Sequence, residues 1–115
     1  MEKRGKAFLI CPVRGHEMSE TEWVVKGMEE SGWEVHWPPR DTEQGVSGLD
    51  ICRQNRAAIE AADVVGVVYE EGSQGVHFDL GMAYALRKPV VVIWGQGETG
   101  FAEMISAWEG ENGSL

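Results

Sequence analysis

Basic side chains are scarce in this chain. Ten Lys and Arg stand against nineteen Asp and Glu, for a formal net charge of -9 and a pI near 4.7. That balance excludes a nucleic-acid groove, because phosphate backbones are held by clustered cations. A small phosphorylated ligand stays open where basic groups converge locally. Cysteine is nearly absent: Cys11 and Cys52 are far apart and fit no Cys-x-x-Cys or Cys/His spacing. They read as buried free thiols in a reducing compartment, with neither disulfide nor metal, and no cofactor is expected. Long apolar runs are missing as well. The run 7–11 is too short for a signal peptide and is followed by Pro12, and nothing approaches membrane-spanning length, so a cytoplasmic protein without a membrane partner is expected. Internal repeats and low-complexity tracts are absent too.

What is present is one domain over residues 1–115, of which 43% are hydrophobic. That is enough for a single core and too little for separate catalytic and substrate domains, so a site shared between domains would need a second copy of the chain. Residues 6–11 read as a first strand, closed by Pro12 and Gly15. Ser19-Glu-Thr-Glu22 fits a capping box ahead of a first helix with Trp23, Val24 and Met28 on its inner face, stopped by Ser31-Gly32. A short second strand over 33–37 ends at Pro38-Pro39, and 40–48 is polar, aperiodic and the longest candidate loop. A second helix over roughly 49–62 aligns Cys52, Asn55 and Ile59.

The runs Asp63-Val-Val-Gly-Val-Val-Tyr69 and Pro89-Val-Val-Val-Ile93 are continuously apolar and β-branched, as in strands buried on both faces of a parallel sheet. Between them lies a third helix capped by Ser73, and 99–108 forms a candidate terminal helix with Phe101, Ile105 and Trp108 on one stripe. The order βαβαβαβ predicts a doubly wound, flavodoxin- or Rossmann-like α/β fold, with a mostly parallel sheet of four to five strands in the order 2-1-3-4 and helices on both faces. Ligands then belong at the carboxyl ends of the first and third strands.

Three motifs compete for the site. Gly95-Gln-Gly-Glu-Thr-Gly100 matches a dinucleotide fingerprint literally, but it follows the last strand and no second strand or ribose-binding acid comes after it. A phospho-receiver domain needs acidic residues where Cys11 and Tyr69 stand. The third is Ser73-Gln-Gly-Val-His-Phe-Asp79 with Arg14. Ser73 caps the helix, Gly75 lets a ligand approach the first-turn amides, and the helix start attracts phosphate. Arg14, after the neighbouring strand, offers a bidentate charged contact. Asp79, further along, is expected to be kept ionised by the helix dipole and to reach a sugar carried by that phosphate, where a carboxylate is a nucleophile for N-glycosidic cleavage.

The span 55–93, with Ala62-Asp-Val-Val65, Ser73-x-Gly-Val, Phe78-Asp-Leu-Gly81, Ala83-x-Ala-Leu86 and Lys88-Pro89-Val90, resembles the nucleoside 2-deoxyribosyltransferase family, and within it the deoxynucleoside 5'-monophosphate N-glycosidases. Arg14-Gly15 extends the similarity over most of the chain; 40–48 and the tail match loosely. The resemblance implies a doubly wound domain, usually an oligomer with shared sites, and a glycosyl-enzyme intermediate captured by a base or by water. It implies Asp79 as nucleophile, Ser73, Gly75 and Arg14 as phosphate ligands, and Asn55 as a catalytic-site residue in the place of a helix-two Asp; Asp41, by its position after the second strand, is expected to help Asn55 hold the sugar or base. Four positions depart from the family pattern: Asp79 stands for Glu, Asn55 for Asp, Phe8 for an aromatic hydroxyl and Pro12 for a small hydroxyl residue.

The expected partner is a small nucleotide or nucleoside, with a preference for a 5'-phosphate, and the expected assembly is a homodimer. An alternative is a catalytically weak nucleotide-binding sensor, and a further one an interaction module. Other residues have plain structural readings. Asn55 fits a satisfied buried amide as well as a sugar contact, and Arg40-Asp41 fits a surface ion pair as well as a ribose contact. Gly81, Ala83 and Ala85 fit close helix-sheet packing. Trp33 and Trp37 fit the core or its rim, Trp94 and Trp108 a subunit interface. His16 and His36 show no partner pattern, and His77 points away from Asp79.

Overall fold

The structure is a computed structural model that describes residues 3–12, 18–70 and 72–94. Its elements are β1 (Gly5–Ile10), α1 (Met18–Glu30), β2 (Trp33–His36), α2 (Pro38–Asp41), α3 (Gly48–Ala61), β3 (Val64–Val68), α4 (Gln74–Ala85) and β4 (Val90–Trp94). The strands form one four-stranded sheet in the order β2-β1-β3-β4, every neighbouring pair parallel. The doubly wound α/β architecture expected from the alternation of apolar runs is thus the one observed.

Side-chain alternation along the strands builds two cores. Phe8, Ile10, Val65, Val67 and Tyr69 face Ile59 of α3 and Val76, Leu80 and Ala83 of α4. Ala7, Leu9, Cys11, Val64 and Val68 face the other way, against Val25 of α1 and Val35 and Trp37. The central β3 is buried along its whole length, which explains its unbroken β-branched sequence. Gly66 within it leaves room for Ile93, whose Cδ1 would lie 2.6 Å from a Cβ there and would have to shift.

Several local expectations are corrected. The Pro pair after β2 starts a helical turn, α2, because proline suits the first helical position, where its missing N–H is not needed. Part of the stretch read as loop is therefore helical. On α1 the buried stripe runs through Thr21 and Val25 with Val24 and Met28 partly covered, while Trp23 is 78% exposed. Gly81 and Ala85 face outward from α4, and only Ala83 of that small-residue group packs in the core. Trp37 is core, and Trp33 packs partly buried against it. Ser19 stands within α1, which already runs from Met18, rather than ahead of it; its side chain and that of Glu20, the fingerprint 95–100, the helix 99–108, Trp108 and the Trp94 side chain lie outside the described residues.

Candidate active site

In a parallel sheet with helices running back, helix starts gather at the carboxyl ends of the strands. Here that edge collects Cys11 after β1, His36 and Trp37 at the end of β2, Tyr69 after β3, and the first turns of α3 and α4.

Helix α4 begins as its sequence dictates. Ser73 is the N-cap in extended conformation, and its Oγ accepts from the Val76 N–H at 3.2 Å. His77 Nδ1 lies 2.6 Å from the Ser73 carbonyl, which only accepts, so Nδ1 carries the proton. The other ring nitrogen meets the Tyr69 hydroxyl at 3.1 Å, tying the helix start to the end of β3. Gly75, in the first turn, is exposed, and a Cβ there would meet only Ser73 Oγ, at 4.0 Å. Among the described residues nothing closes the approach to this turn.

Val76, Leu80 and Ala83 form the buried stripe of α4; Asp79 borders it on one flank and His77 on the other. The negative charge of Asp79 reaches the Cys11 thiol, just after the end of β1. Asp79 is half-buried, and no hydrogen-bond donor engages its carboxylate among the described residues. Burial pushes its pKa up to about 6. This reverses the expected direction: desolvation of the charge outweighs the helix dipole. At pH 7 the group is still mostly ionised, as a nucleophile must be, while remaining poorly solvated.

Cys11 beside it is buried, and its thiol is pushed up to about 11 by burial first, against a smaller opposing influence of Trp37 and with the Asp79 charge adding to the rise. Trp37 Nε1–H faces that sulfur without the geometry of a hydrogen bond and has no acceptor among the described residues. Cys11 is therefore a neutral wall of the site rather than a nucleophile.

Asn55 lies on the inner face of α3, one turn before Ile59, and is buried. Its Oδ1 accepts from the Thr42 hydroxyl at 2.7 Å, and the same hydroxyl lies 2.8 Å from His36 Nε2. His36 in turn stacks on Phe8, with ring centroids 5.3 Å apart and planes 9° from parallel. His36 and Thr42 carried no sequence signal, because their partners arrive from β1 and α3 only through the fold.

Asp41 is heavily committed. Its Oδ2 accepts from the Trp37 backbone N–H and from Arg40, and its Oδ1 from Arg40 Nε at 2.8 Å. Burial alone would raise the Asp41 pKa, but these donors hold it below the usual carboxylate range. Arg40 also bridges Glu29 and the Val35 carbonyl. The pair braces the turn that carries Thr42. Arg14 lies outside the described residues. Among the described residues no group of three His, Cys, Asp or Glu side chains converges as a metal site.

A family model described as nucleoside 2-deoxyribosyltransferase matches residues 9–104. No sequence among the curated proteins matches. Among solved structures, a 2-deoxyribosyltransferase from the psychrotolerant bacterium Bacillus psychrosaccharolyticus is similar at a TM-score of 0.73 and 18% identity, over 96% of this chain and 92% of that one. The Clostridium botulinum CMP N-glycosidase BcmB is similar at a TM-score of 0.60 and 21% identity, over 91% of this chain and 80% of that one. At these identities the two structures speak for the fold.

Proposed function

The chain belongs to the nucleoside 2-deoxyribosyltransferase family, and from that premise we propose that it cleaves the N-glycosidic bond of a nucleotide or nucleoside, or transfers its deoxyribosyl group. The observation that carries this reading is Asp79: a carboxylate on the buried flank of α4, without a donor among the described residues, near the open helix start at Gly75. An Asp79 oxygen attacks C1', the C1'–N bond breaks, and the departing base takes up a proton. Water or a second base then attacks C1', releasing the carboxylate. The 5'-phosphate sits at the start of α4, against Ser73 and the Gly75 amide, with Arg14 supplying the cation; this arrangement favours 5'-monophosphates. Asn55 contacts the sugar or base. Asp41 serves the same subsite by holding the Thr42 turn through Arg40 and the Trp37 N–H.

A homodimer fits the outer face of α4, where Phe78 is 58% and Tyr84 65% exposed in a helix that is apolar on most sides. No helix among the described residues is long and apolar enough to cross a membrane, and we place the protein in the cytoplasm.

The second reading, a nucleotide-binding sensor, is favoured by Asn55, which cannot donate a carboxylic proton. One panel separates the two: ribo- and deoxyribonucleosides and their 5'-monophosphates, with and without a free acceptor base, followed by chromatography. Base release fastest from monophosphates supports the proposed enzyme. Tight binding without release supports the sensor, and absence of both contradicts both.

A further inference from the structure

The His36–Thr42–Asn55 chain has a direction, and the direction decides what Asn55 can recognise. A threonine hydroxyl owns one proton. At position 42 that proton goes to Asn55 Oδ1, at 2.7 Å. The Thr42 oxygen, 2.8 Å from His36 Nε2, must then accept, so Nε2 carries the ring proton. The stacking on Phe8 holds the imidazole in the orientation this requires. Burial, the largest influence on His36, lowers its pKa, with Asp41 opposing and Arg40 reinforcing that change, so the ring stays neutral at pH 7 and its Nδ1 unprotonated.

The inverse chain is self-consistent but chemically distinct. The Asn55 NH2 would donate to Thr42, Thr42 to Nε2, and the proton of His36 would sit on Nδ1. The two arrangements present opposite ends of the amide to whatever lies beyond it. In the observed one the amide carbonyl accepts from Thr42 inside the protein, and among the described residues the NH2 group donates to nothing. Asn55 stands on the face of α3 that packs against β1, on the same side of the sheet as α4 and Asp79.

We propose that His36 and Thr42 are positioning residues that fix the Asn55 amide with its carbonyl inward and its NH2 toward the ligand, making position 55 a dedicated donor. It would select an acceptor atom, a keto oxygen or unprotonated ring nitrogen of a base or a sugar oxygen, and it would penalise an exocyclic amino group placed there, since two donors cannot pair. An ionised Asp at the same position would offer acceptors only. The role in ligand selection rests on the functional reading above; the polarity of the chain does not.

The test has two arms. Long-range proton–nitrogen correlation spectra of the uniformly 15N-labelled full chain at neutral pH report the His36 tautomer directly. A protonated Nε2 with an unprotonated Nδ1 is expected, and the Nδ1–H tautomer would overturn the proposal without any variant being made. The second arm measures binding of CMP and dCMP by calorimetry, and their turnover, for the parent, Thr42→Val and Thr42→Ser. Thr42→Val frees the amide to rotate and is expected to weaken binding about five- to tenfold, appearing in KM with kcat within about twofold, and Thr42→Ser to restore it. Equal affinity in Thr42→Val would overturn the role in recognition. If the parent binds no nucleotide, the functional reading and that role fall together, while the tautomer still decides the polarity.

Discussion

The two edges of the same sheet are built on opposite terms. At the amino edge the strand ends and the turns beside them are tied down by hydrogen bonds. Asp63 Oδ2 accepts from the Lys6 N–H at 2.9 Å, its own N–H donates to the Lys6 carbonyl at 2.7 Å, and Arg4 N–H donates to the Gly32 carbonyl at 2.8 Å. Lys88 Nζ closes the end of α3 by donating to the carbonyls of Glu60 and Ala62. At the carboxyl edge, reached by the same strands from the same cores, and among the described residues, Trp37 Nε1–H has no hydrogen-bond acceptor, Asp79 has no donor, and Asn55 is bonded at one end of its amide. Buried polar groups are nearly always satisfied where only folding is at stake. Unpaired ones gathered at one edge mark the place where the chain is shaped for something other than its own stability.

Substitutions at the two edges should therefore diverge. The largest effect is expected from Asp79→Ala, which should lower base release on the order of a thousandfold or more while nucleotide binding changes little, as measured by single-turnover chromatography and calorimetry. At the opposite edge Gly5→Ala should leave turnover intact and cost roughly 2 to 3 kcal/mol in denaturant unfolding. Gly5 has a φ of 138°, and a Cβ there would stand 2.6 Å from Asp63 Oδ2. Ser73→Ala should cost about 1 kcal/mol through the lost helix cap and should weaken binding of monophosphates more than of nucleosides. The smallest change is a gain. Arg87 ends α4 with a φ of 58°, its N–H on the Tyr84 carbonyl and that of Lys88 on Ala83. Arg87→Gly should stabilise by about 0.5 to 1 kcal/mol in the same unfolding assay, with activity unchanged.

The strands, their order and the start of α4 were legible because each rests on a local signal: unbroken β-branched runs, crossover-length connections, a Ser73 cap. Asn55 was legible as an inward-facing residue by its spacing from Ile59. Other features depend on what the fold assembles. The buried stripe of α1 runs through Val25 rather than Trp23, a shift of phase that an apolar count cannot settle when both neighbours are apolar. The dipole argument for Asp79 was sound but incomplete, since burial in the assembled fold desolvates its flank of α4. His36 acquires its meaning from Phe8, Thr42 and Asn55 together. The indole of Trp37 was expected in the core or at its rim, yet nothing local reveals that its N–H would lack an acceptor there.

The central claim is that the carboxyl edge keeps a costly carboxylate for its chemistry, and Asp79→Asn tests both halves in one preparation. The pKa of about 6 against an ordinary 3.8 means the folded protein holds this proton more tightly than the unfolded chain. The stability that Asp79 contributes is full below pH 4 and lost as pH rises through 6, amounting to roughly 3 kcal/mol by pH 7. Unfolding free energy at pH 7 and pH 4, with base release at pH 7, is the measurement. The account predicts a variant more stable than the parent by about 2 to 3 kcal/mol at pH 7, with that advantage gone at pH 4, and almost no base release. A variant that is no more stable at pH 7, or that releases base at the parent rate, would contradict it.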